Sequence, residues 1–289
     1  MKKHNLSTII LVLVFFVGLS ILLYPAVSNW WNSRVQSRAI VDYDAVVADM
    51  SHEDYDAEFA EADAYNEALK AIPSPFINYD QVEGYDDILN VAGNGIIGYI
   101  NIPRINVELP IKHGTSEAVL NVAVGHLEGT SLPVGGEGTH CVLSAHRGLP
   151  SAKLFTNLDK LTEGDTFTIT ILDRFLTYEV DQIRIVEPKE IGEVDMVEGK
   201  DYVTLLTCTP YGLNTHRLLV RGHRIVNDEE SKIVIQNEAF ELDSTMLAPI
   251  VAAPLLMILL IILLVKYREP KKKGHWERHS KREENGTHE

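Results

Sequence analysis

Two long apolar stretches, one near each end, constrain this chain more than any other feature. Residues 6–27 and 246–265 are almost wholly apolar. Each is long enough to cross a hydrocarbon core of about 30 Å as a helix. Basic residues precede the first stretch and follow the second. The positive-inside rule therefore predicts that both termini are cytoplasmic and that residues 28–245 lie outside the membrane.

The first stretch has a second interpretation, because a short basic start and an apolar run also fit a cleavable signal peptide. Its small-residue cleavage site would lie near Ala26-Val27-Ser28. Under either interpretation the middle of the chain is exported. The predicted organisation is an N-terminal anchor or signal (1–27), a helical region (28–89), a β-rich domain (90–226), a juxtamembrane linker (227–245), a transmembrane helix (246–265) and a basic cytoplasmic tail (266–289).

The exported segment is strongly acidic. The whole chain has 26 basic and 41 acidic residues, of which 16 basic and 36 acidic fall in residues 28–245. Such a surface excludes nucleic-acid binding through charge. It is repelled by anionic lipid and attracted to cationic partners, although solubility alone is also a sufficient reason for it.

Residues 33–70 carry apolar side chains near helical spacing, with acidic residues between them and no glycine or proline. This pattern predicts one or two helices. Pro73 and Pro75 end the helical pattern, since proline lacks a donor and restricts the residue before it. We expect residues 72–76 to be extended.

From Gly95 onward the pattern changes to short β-strands with glycine and aspartate turns, interrupted by a short capped helix over residues 116–120. Close spacing of such strands predicts a mainly β fold, either a closed barrel or a sandwich. The predicted strands are 96–102, 107–111, 140–144, 166–172, 175–186, 202–207 and 217–225.

Three segments place reactive side chains at strand ends. An apolar strand runs into His146, a second runs into Cys208, and Arg217 starts the strand that follows. A thiol attacks as its thiolate, which a nearby cation favours. A histidine can exchange protons with the thiol and a leaving amine, and a guanidinium can stabilise an oxyanion. Taken singly, each of these residues is more often structural than catalytic.

The chain has two cysteines, Cys141 and Cys208. They allow either one disulfide or a working thiol with a buried bystander, and the motifs favour the second. On an alternating strand, Cys141 shares a face with Leu143 and is predicted to pack in the core. A zinc site from His140, Cys141, His146, Cys208 and His216 matches no usual ligand spacing. No metal or cofactor is predicted.

The segments Thr204-Leu205-Leu206-Thr207-Cys208, Ser144-Ala145-His146-Arg147-Gly148 and Asn214-Thr215-His216-Arg217 occur in this order. The first resembles the Thr-Leu-x-Thr-Cys signature of sortases, the Gram-positive surface transpeptidases, and the others are similar to the histidine and arginine segments of that family. The resemblance covers about residues 90–226. It implies an eight-stranded sortase β-barrel, with Cys208 as acylated nucleophile, His146 as acid/base and Arg217 as oxyanion or substrate stabiliser.

The flanking segments resemble those of class C sortases, which polymerise pilins. That class has an N-terminal helical region, a C-terminal span and a lid that usually reads Asp-Pro followed by an aromatic residue. Here the lid is Ser74-Pro75-Phe76. Phe76 matches the aromatic residue that covers the cysteine, whereas Ser74 replaces the acid that would pair with the arginine.

The resemblance implies an enzyme in the cell membrane of a Gram-positive bacterium. It would cleave an LPXTG-like sorting signal between Thr and Gly and join the product to a lysine amine of another pilin subunit. Its expected partners are pilin subunits that carry a C-terminal sorting signal and an acceptor lysine, and the membrane. Three alternatives stay open: attachment of proteins to cell-wall precursor, a catalytically inactive binding barrel, and a cysteine peptidase that uses water as acceptor.

Overall fold

The computed structural model describes residues 2–190, 194–227 and 244–266. It divides into two units, residues 1–242 and 243–289. Most of the predicted linker and nearly all of the predicted cytoplasmic tail lie outside the described residues. For these two segments the sequence-based interpretation stays a prediction.

The first unit is built around a closed barrel of eight strands, which confirms the predicted β-barrel. Its strand order is β1-β2-β3-β4-β7-β8-β6-β5. The strands are β1 (Ile96–Ile102), β2 (Val107–His113), β3 (Val124–His126), β4 (Thr139–Ser144), β5 (Thr166–Ile171), β6 (Arg174–Val186), β7 (Asp201–Thr209) and β8 (His216–Ile225).

Along each strand every second side chain points inward, and these side chains fill the barrel interior. Ile100, Leu143, Phe167, Leu205 and Val220 have no exposed surface. Burying an aliphatic or aromatic side chain of this size stabilises a fold by about 1.5–3 kcal/mol. On β7 and β8 the remaining side chains point outward. This outer face of the two strands carries Cys208 and Arg217.

Strand β3 (Val124–His126) is missing from the sequence-based prediction. It has three residues, too few to show alternation, and it includes a glycine. Its pairing is specific nevertheless, since it lies parallel to β2 and antiparallel to β4. Long-range pairing, rather than local pattern, makes this segment a strand.

Two long helices precede the barrel, α1 (Lys2–Ala48) and α2 (His52–Ala71). Ser51 starts α2 with a capping box, in which its hydroxyl accepts from the Asp54 N–H and the Asp54 carboxylate accepts from the Ser51 N–H. Tyr43 on α1 and Phe59 and Leu69 on α2 are buried against the barrel. The predicted helices are confirmed, and the first is continuous with the apolar N-terminal stretch.

The prediction that residues 72–76 are extended is wrong from Ser74 onward. Ile72 is extended, but Ser74 adopts a left-handed conformation with φ of 56°, and Pro75–Asn78 form a one-turn helix, α3. Proline fits the first helical position because its missing N–H would have no helical partner there. Helix α2 thus ends before Pro73, and the second proline, Pro75, starts the next turn.

The described residues of the first unit also form α4 (Glu117–Leu120), which Ser116 caps, and 3-10 turns at Tyr79–Gln81, Pro103–Ile105 and Leu158–Lys160. The second unit contains α5 (Ser244–Lys266). Among the described residues, one helical segment, Thr8–Ala48, is long and apolar enough to cross a membrane, and Val251–Lys266 is a shorter apolar helix. The predicted C-terminal span stays a prediction.

Candidate active site

Cys208 and Arg217 face each other across neighbouring strands. The antiparallel register of β7 and β8 pairs Cys208 directly with Arg217, and Thr209 with His216. Directly opposed residues point to the same face of a sheet, with Cβ atoms about 4.5–5.5 Å apart. Cys208 is a free cysteine with a partly exposed side chain. A thiol and a guanidinium thus share one open face at the end of the barrel.

His146 reaches the same end through the parallel pairing of β4 with β7. The pairs run as far as Ser144 with Leu206. Ala145 is also bonded to β7. Its N–H donates to the Leu206 carbonyl (3.2 Å), and its carbonyl accepts from the Thr207 hydroxyl (2.8 Å). Continuing this register by one residue would bring His146 opposite Cys208.

The loop after His146 is fixed by bonds to its backbone. The Phe155 N–H donates to the His146 carbonyl (3.1 Å), and the Gly148 N–H donates to the Thr156 hydroxyl (3.1 Å). These bonds leave the imidazole partly exposed while holding the main chain that carries it. A catalytic group on a loop needs such support to keep its position.

Arg147 links the two strand ends, a role that the sequence-based reasoning did not assign. Its guanidinium donates to the Thr209 hydroxyl (3.2 Å) and forms an ion pair with Asp159 at 2.5 Å. Thr209 is the last residue of β7, so Arg147 ties the histidine loop to the strand that carries Cys208. Its place in the His-Arg-Gly motif was the only signal for it.

The Arg217 guanidinium is oriented by main-chain carbonyls. Its Nη1 donates to the carbonyls of Asn214 (3.3 Å) and His216 (3.1 Å). Both acceptors lie at the start of β8 beside Cys208. A guanidinium has five donors, so two such bonds leave capacity for an oxygen bound in front of the thiol.

Comparisons with known proteins agree with this geometry. A family model described as the sortase domain matches residues 100–225. Sortase C1 of Streptococcus agalactiae is 50% identical, with a TM-score of 0.60 over 66% of this chain and 100% of that chain. The chain belongs to the sortase family. Members of this family are cysteine transpeptidases.

Other sortases show how far the similarity extends. A sortase C of Streptococcus pneumoniae, studied for its catalysis and pilin substrate specificity, is 44% identical, with a TM-score of 0.58 over 66% of this chain and 97% of that one. Sortase D of Bacillus subtilis is 30% identical over 131 residues, 44% of this chain. The match to the present chain covers 63% of the length of the Bacillus subtilis protein.

The second cysteine of this sortase lies inside the barrel. Cys141 is 2% exposed and packs in the same core as Leu143, as predicted from the alternation. Burial raises the pKa of the Cys141 thiol well above its usual value, which keeps it protonated. Neither cysteine forms a disulfide. Cys141 is therefore unsuited to nucleophilic attack.

His140, on the strand that leads to His146, has a structural role. His140 is 1% exposed, and its ring nitrogens bond the Asp195 carbonyl (2.9 Å) and the Thr204 hydroxyl (2.7 Å). Burial lowers the pKa of His140, so its ring is held neutral. Within the described part of the chain, no three histidine, cysteine or acidic side chains are grouped to hold a metal ion.

The predicted lid packs on the face that carries Cys208. Phe76 joins a small apolar cluster whose buried members are Val142, Val186, Val194 and Leu219. Leu206 joins it too. Leu206 is paired with Leu219 in the ladder, as Cys208 is with Arg217. The two pairs are two residues apart along the strands, about 7 Å, and point to the same face. The apolar cluster against which Phe76 packs therefore reaches the residues next to Cys208 and Arg217 on this face.

The backbone of the predicted lid packs closely against Gly129. A Cβ added to Gly129 would lie 2.8 Å from the Pro75 carbonyl oxygen and 2.9 Å from the Phe76 Cα. The turn is also closed internally, since the Asn78 side chain donates to the Pro73 carbonyl (2.7 Å). The Ser74 side chain makes no capping hydrogen bond. Packing and backbone contacts therefore hold the lid in place.

A cavity of about 620 Å³ opens beside the lid. It lies between the end of α2, the lid turn and the segment that leads into β7, and its lining includes Ile72, Phe76, Thr130, Val194 and Met196. Its size and mixed lining are typical of sites that bind small molecules or short peptide segments.

Proposed function

We propose that this sortase cleaves an LPXTG-like sorting signal through a thioacyl intermediate on Cys208 and transfers the product to a lysine amine of a pilin subunit. The single observation that carries the proposal is the direct pairing of Cys208 with Arg217 beside the His146 loop. The sortase C relatives, at 44–50% identity, support the pilin assignment.

In the first step, the Cys208 thiolate attacks the carbonyl carbon of the threonine in the signal. Arg217 donates to the oxyanion that forms, which removes the need for water to solvate it. The bond between that carbon and the glycine nitrogen then breaks, and His146 gives its proton to the leaving amine. The product is a thioester on Cys208 and a free amine.

In the second step, a lysine amine attacks the thioester carbonyl while His146 takes up one of its protons. Breakage of the carbon–sulfur bond regenerates the thiolate and leaves an isopeptide bond. An amine outcompetes water when the thioester is shielded, and Phe76 with its apolar cluster lies close enough to supply that shield. Ser74, Pro75 and Phe76 would act as a lid that opens to admit the signal.

Helix α1 would hold the enzyme at the membrane, where the exported subunits emerge. Its segment Thr8–Ala48 is long and apolar enough to span a bilayer. The predicted C-terminal span would supply a second anchor, with both termini in the cytoplasm.

Acceptor competition tests this function. The full chain in detergent is mixed with an LPXTG-type peptide, a lysine-bearing pilin fragment and an amine that mimics cell-wall precursor. We expect a branched peptide–lysine product in the parent and none in Cys208→Ala. Exclusive transfer to the cell-wall mimic would favour the anchoring alternative, and release of free acid alone would favour a peptidase.

A further inference from the structure

Helix α1 is fastened to the loop that follows His146. The Asn29 side-chain oxygen accepts from the Lys153 N–H (2.7 Å), and the Asn32 side chain donates to the Ser151 carbonyl (2.8 Å). This loop leaves β4 at the barrel end where Cys208 lies, here called the catalytic end. The start of the exported part of α1 therefore lies at the catalytic end.

Fourteen residues later, α1 is fastened to the opposite end of the barrel. The Tyr43 hydroxyl donates to the Ile97 carbonyl (3.1 Å) and accepts from the Leu172 N–H (2.9 Å). Ile97 is at the start of β1, and Leu172 follows the end of β5. A helix rises about 21 Å over this distance, which is close to the length of a barrel strand. Helix α1 thus runs lengthwise along the barrel.

This direction fixes where the apolar stretch must go. Moving from Tyr43 back to Asn29, α1 reaches the catalytic end, and the same helix continues through Pro25 toward residue 8 on that side of the barrel. If this stretch spans the bilayer, the membrane surface faces the catalytic end rather than the side or the far end of the barrel.

The catalytic end exposes large apolar side chains. Trp30 and Trp31, just after the apolar stretch, are 51% and 63% exposed, and Tyr211 and Leu213 in the β7–β8 loop are 62% and 74% exposed. The Tyr211 ring lies against Gly148, so this loop belongs to the same surface as the histidine loop. Tryptophan and tyrosine are the residues enriched at the headgroup level of membranes.

The charge at the catalytic end also differs from the rest. Its connections and the adjoining part of α1 contain eight basic and six acidic residues, against 16 basic and 36 acidic in the whole exported segment. The Lys153 side chain donates to the Ile105 carbonyl (3.2 Å), which joins the β1–β2 turn to the histidine loop. The segments counted are residues 28–38, 103–106, 116–123, 145–165, 187–190 and 210–217.

We propose that the catalytic end of this sortase rests on the surface of an anionic bilayer, with Tyr211 and Leu213 seated among the headgroups beside Trp30 and Trp31. Electrostatics favours this orientation, because the rest of the exported segment carries a large excess of acidic residues and is repelled by anionic lipid. The active site would then open at the membrane surface, within reach of a substrate still held in the bilayer. The proposal rests on the membrane anchoring put forward above.

Depth measurements on spin labels test the orientation. The full chain in the Cys208→Ala background is labelled at Leu213→Cys and inserted in phosphatidylcholine vesicles with about 30% phosphatidylglycerol. Collision with oxygen and with an aqueous nickel chelate reports the depth of the label. Asp173→Cys, in the turn at the far end, is the aqueous control, and Leu13→Cys, in the apolar stretch, is the hydrocarbon control.

We expect the label at 213 to be several-fold less accessible to nickel than the label at 173, at a depth between the two controls. A label at 213 as accessible as that at 173, with 13 in the hydrocarbon, would overturn the orientation. A label at 13 that is also aqueous would overturn the anchoring on which it rests. Neither result would affect the chemistry of Cys208, which acceptor competition measures separately.

A charge variant tests the electrostatic part. Arg104 and Lys160 are exposed at the catalytic end, away from the catalytic side chains. Replacing both by glutamate is expected to raise the nickel accessibility of the label at 213, since each lost basic contact shifts the docked population about fivefold. Removing phosphatidylglycerol should have the same effect on the parent. No response to either change would contradict the role of anionic lipid.

Discussion

Truncating Phe76 tests whether residues 74–76 cover the active site. Replacing a fully buried phenylalanine by alanine lowers the stability of a protein by about 3–5 kcal/mol. Phe76 is partly buried in its cluster, so roughly half of that, about 1.5–2.5 kcal/mol, is the expected loss of lid-closing free energy. Each 1.4 kcal/mol is about a tenfold change in population. Phe76→Ala should therefore raise the open-lid population at least about tenfold.

The assay is the pseudo-first-order rate at which Cys208 reacts with a small thiol reagent. Cys141 is 2% exposed and should contribute nothing, which Cys208→Ala verifies. Ile77→Ala is the matched control, because Ile77 belongs to the same turn but is 72% exposed. We expect a tenfold faster reaction in Phe76→Ala and no change in Ile77→Ala. Equal rates for Phe76→Ala and the parent would refute the lid.

A glycine pair gives the same test without touching the lid itself. An alanine at Gly129 would displace the backbone of Pro75 and Phe76, whereas an alanine at Gly93 would meet nothing within 4 Å. Both glycines have positive φ, 83° and 65°, so both substitutions carry similar backbone strain. Only Gly129→Ala should expose Cys208. Equal reactivity in the two variants would mean that strain, not lid contact, is responsible.

Three further predictions concern the support of the site and the core. Replacing Asn29 and Asn32 with alanine should lower kcat/KM of the full chain several-fold, because two bonds to the histidine loop of roughly 1 kcal/mol each are lost; an unchanged kcat/KM and pH profile would contradict this. Burial lowers the pKa of His126 from 6.5 to about 4. The unfolded chain therefore binds a proton that the folded one does not, and the free energy of unfolding should fall by up to about 3 kcal/mol as the pH drops from 6.5 to 4. Denaturant unfolding should show a smaller fall in His126→Gln, and an equal fall would contradict the assignment. Cys141→Ala should keep full transfer activity and lose about 1–2 kcal/mol of stability, whereas loss of activity without unfolding would show that Cys141 is more than a core residue.

Local pattern predicted the long strands well because half-buried strands alternate. Strand β6, for example, was predicted at 175–186 and is observed as Arg174–Val186. The predicted strand over residues 202–207 stops one residue short of Cys208. Pairing with β8 extends the strand to Thr209 and puts Cys208 inside the ladder. Cross-strand hydrogen bonds, invisible in a local window, decide this boundary.

The position of His146 relative to Cys208 depends on contacts between distant parts of the chain. The pairing of β4 with β7 joins residues about 60 positions apart and is parallel. Nothing in local composition specifies such a register, so only the resemblance to sortases suggested that these two residues meet. Arg147 was missed for the same reason, because its partners Thr209 and Asp159 come together only in the folded barrel.

The most direct test of the account is intact-mass spectrometry of the full chain after incubation with an LPXTG-type peptide. The parent should gain the mass of the acyl fragment, and peptide mapping should place it on Cys208. The adduct should be absent in Cys208→Ala and strongly reduced in Arg217→Ala, while Cys141→Ala should acquire it as the parent does. An adduct that persists in Cys208→Ala, or maps to any other residue, would contradict the assignment of Cys208 as the nucleophile.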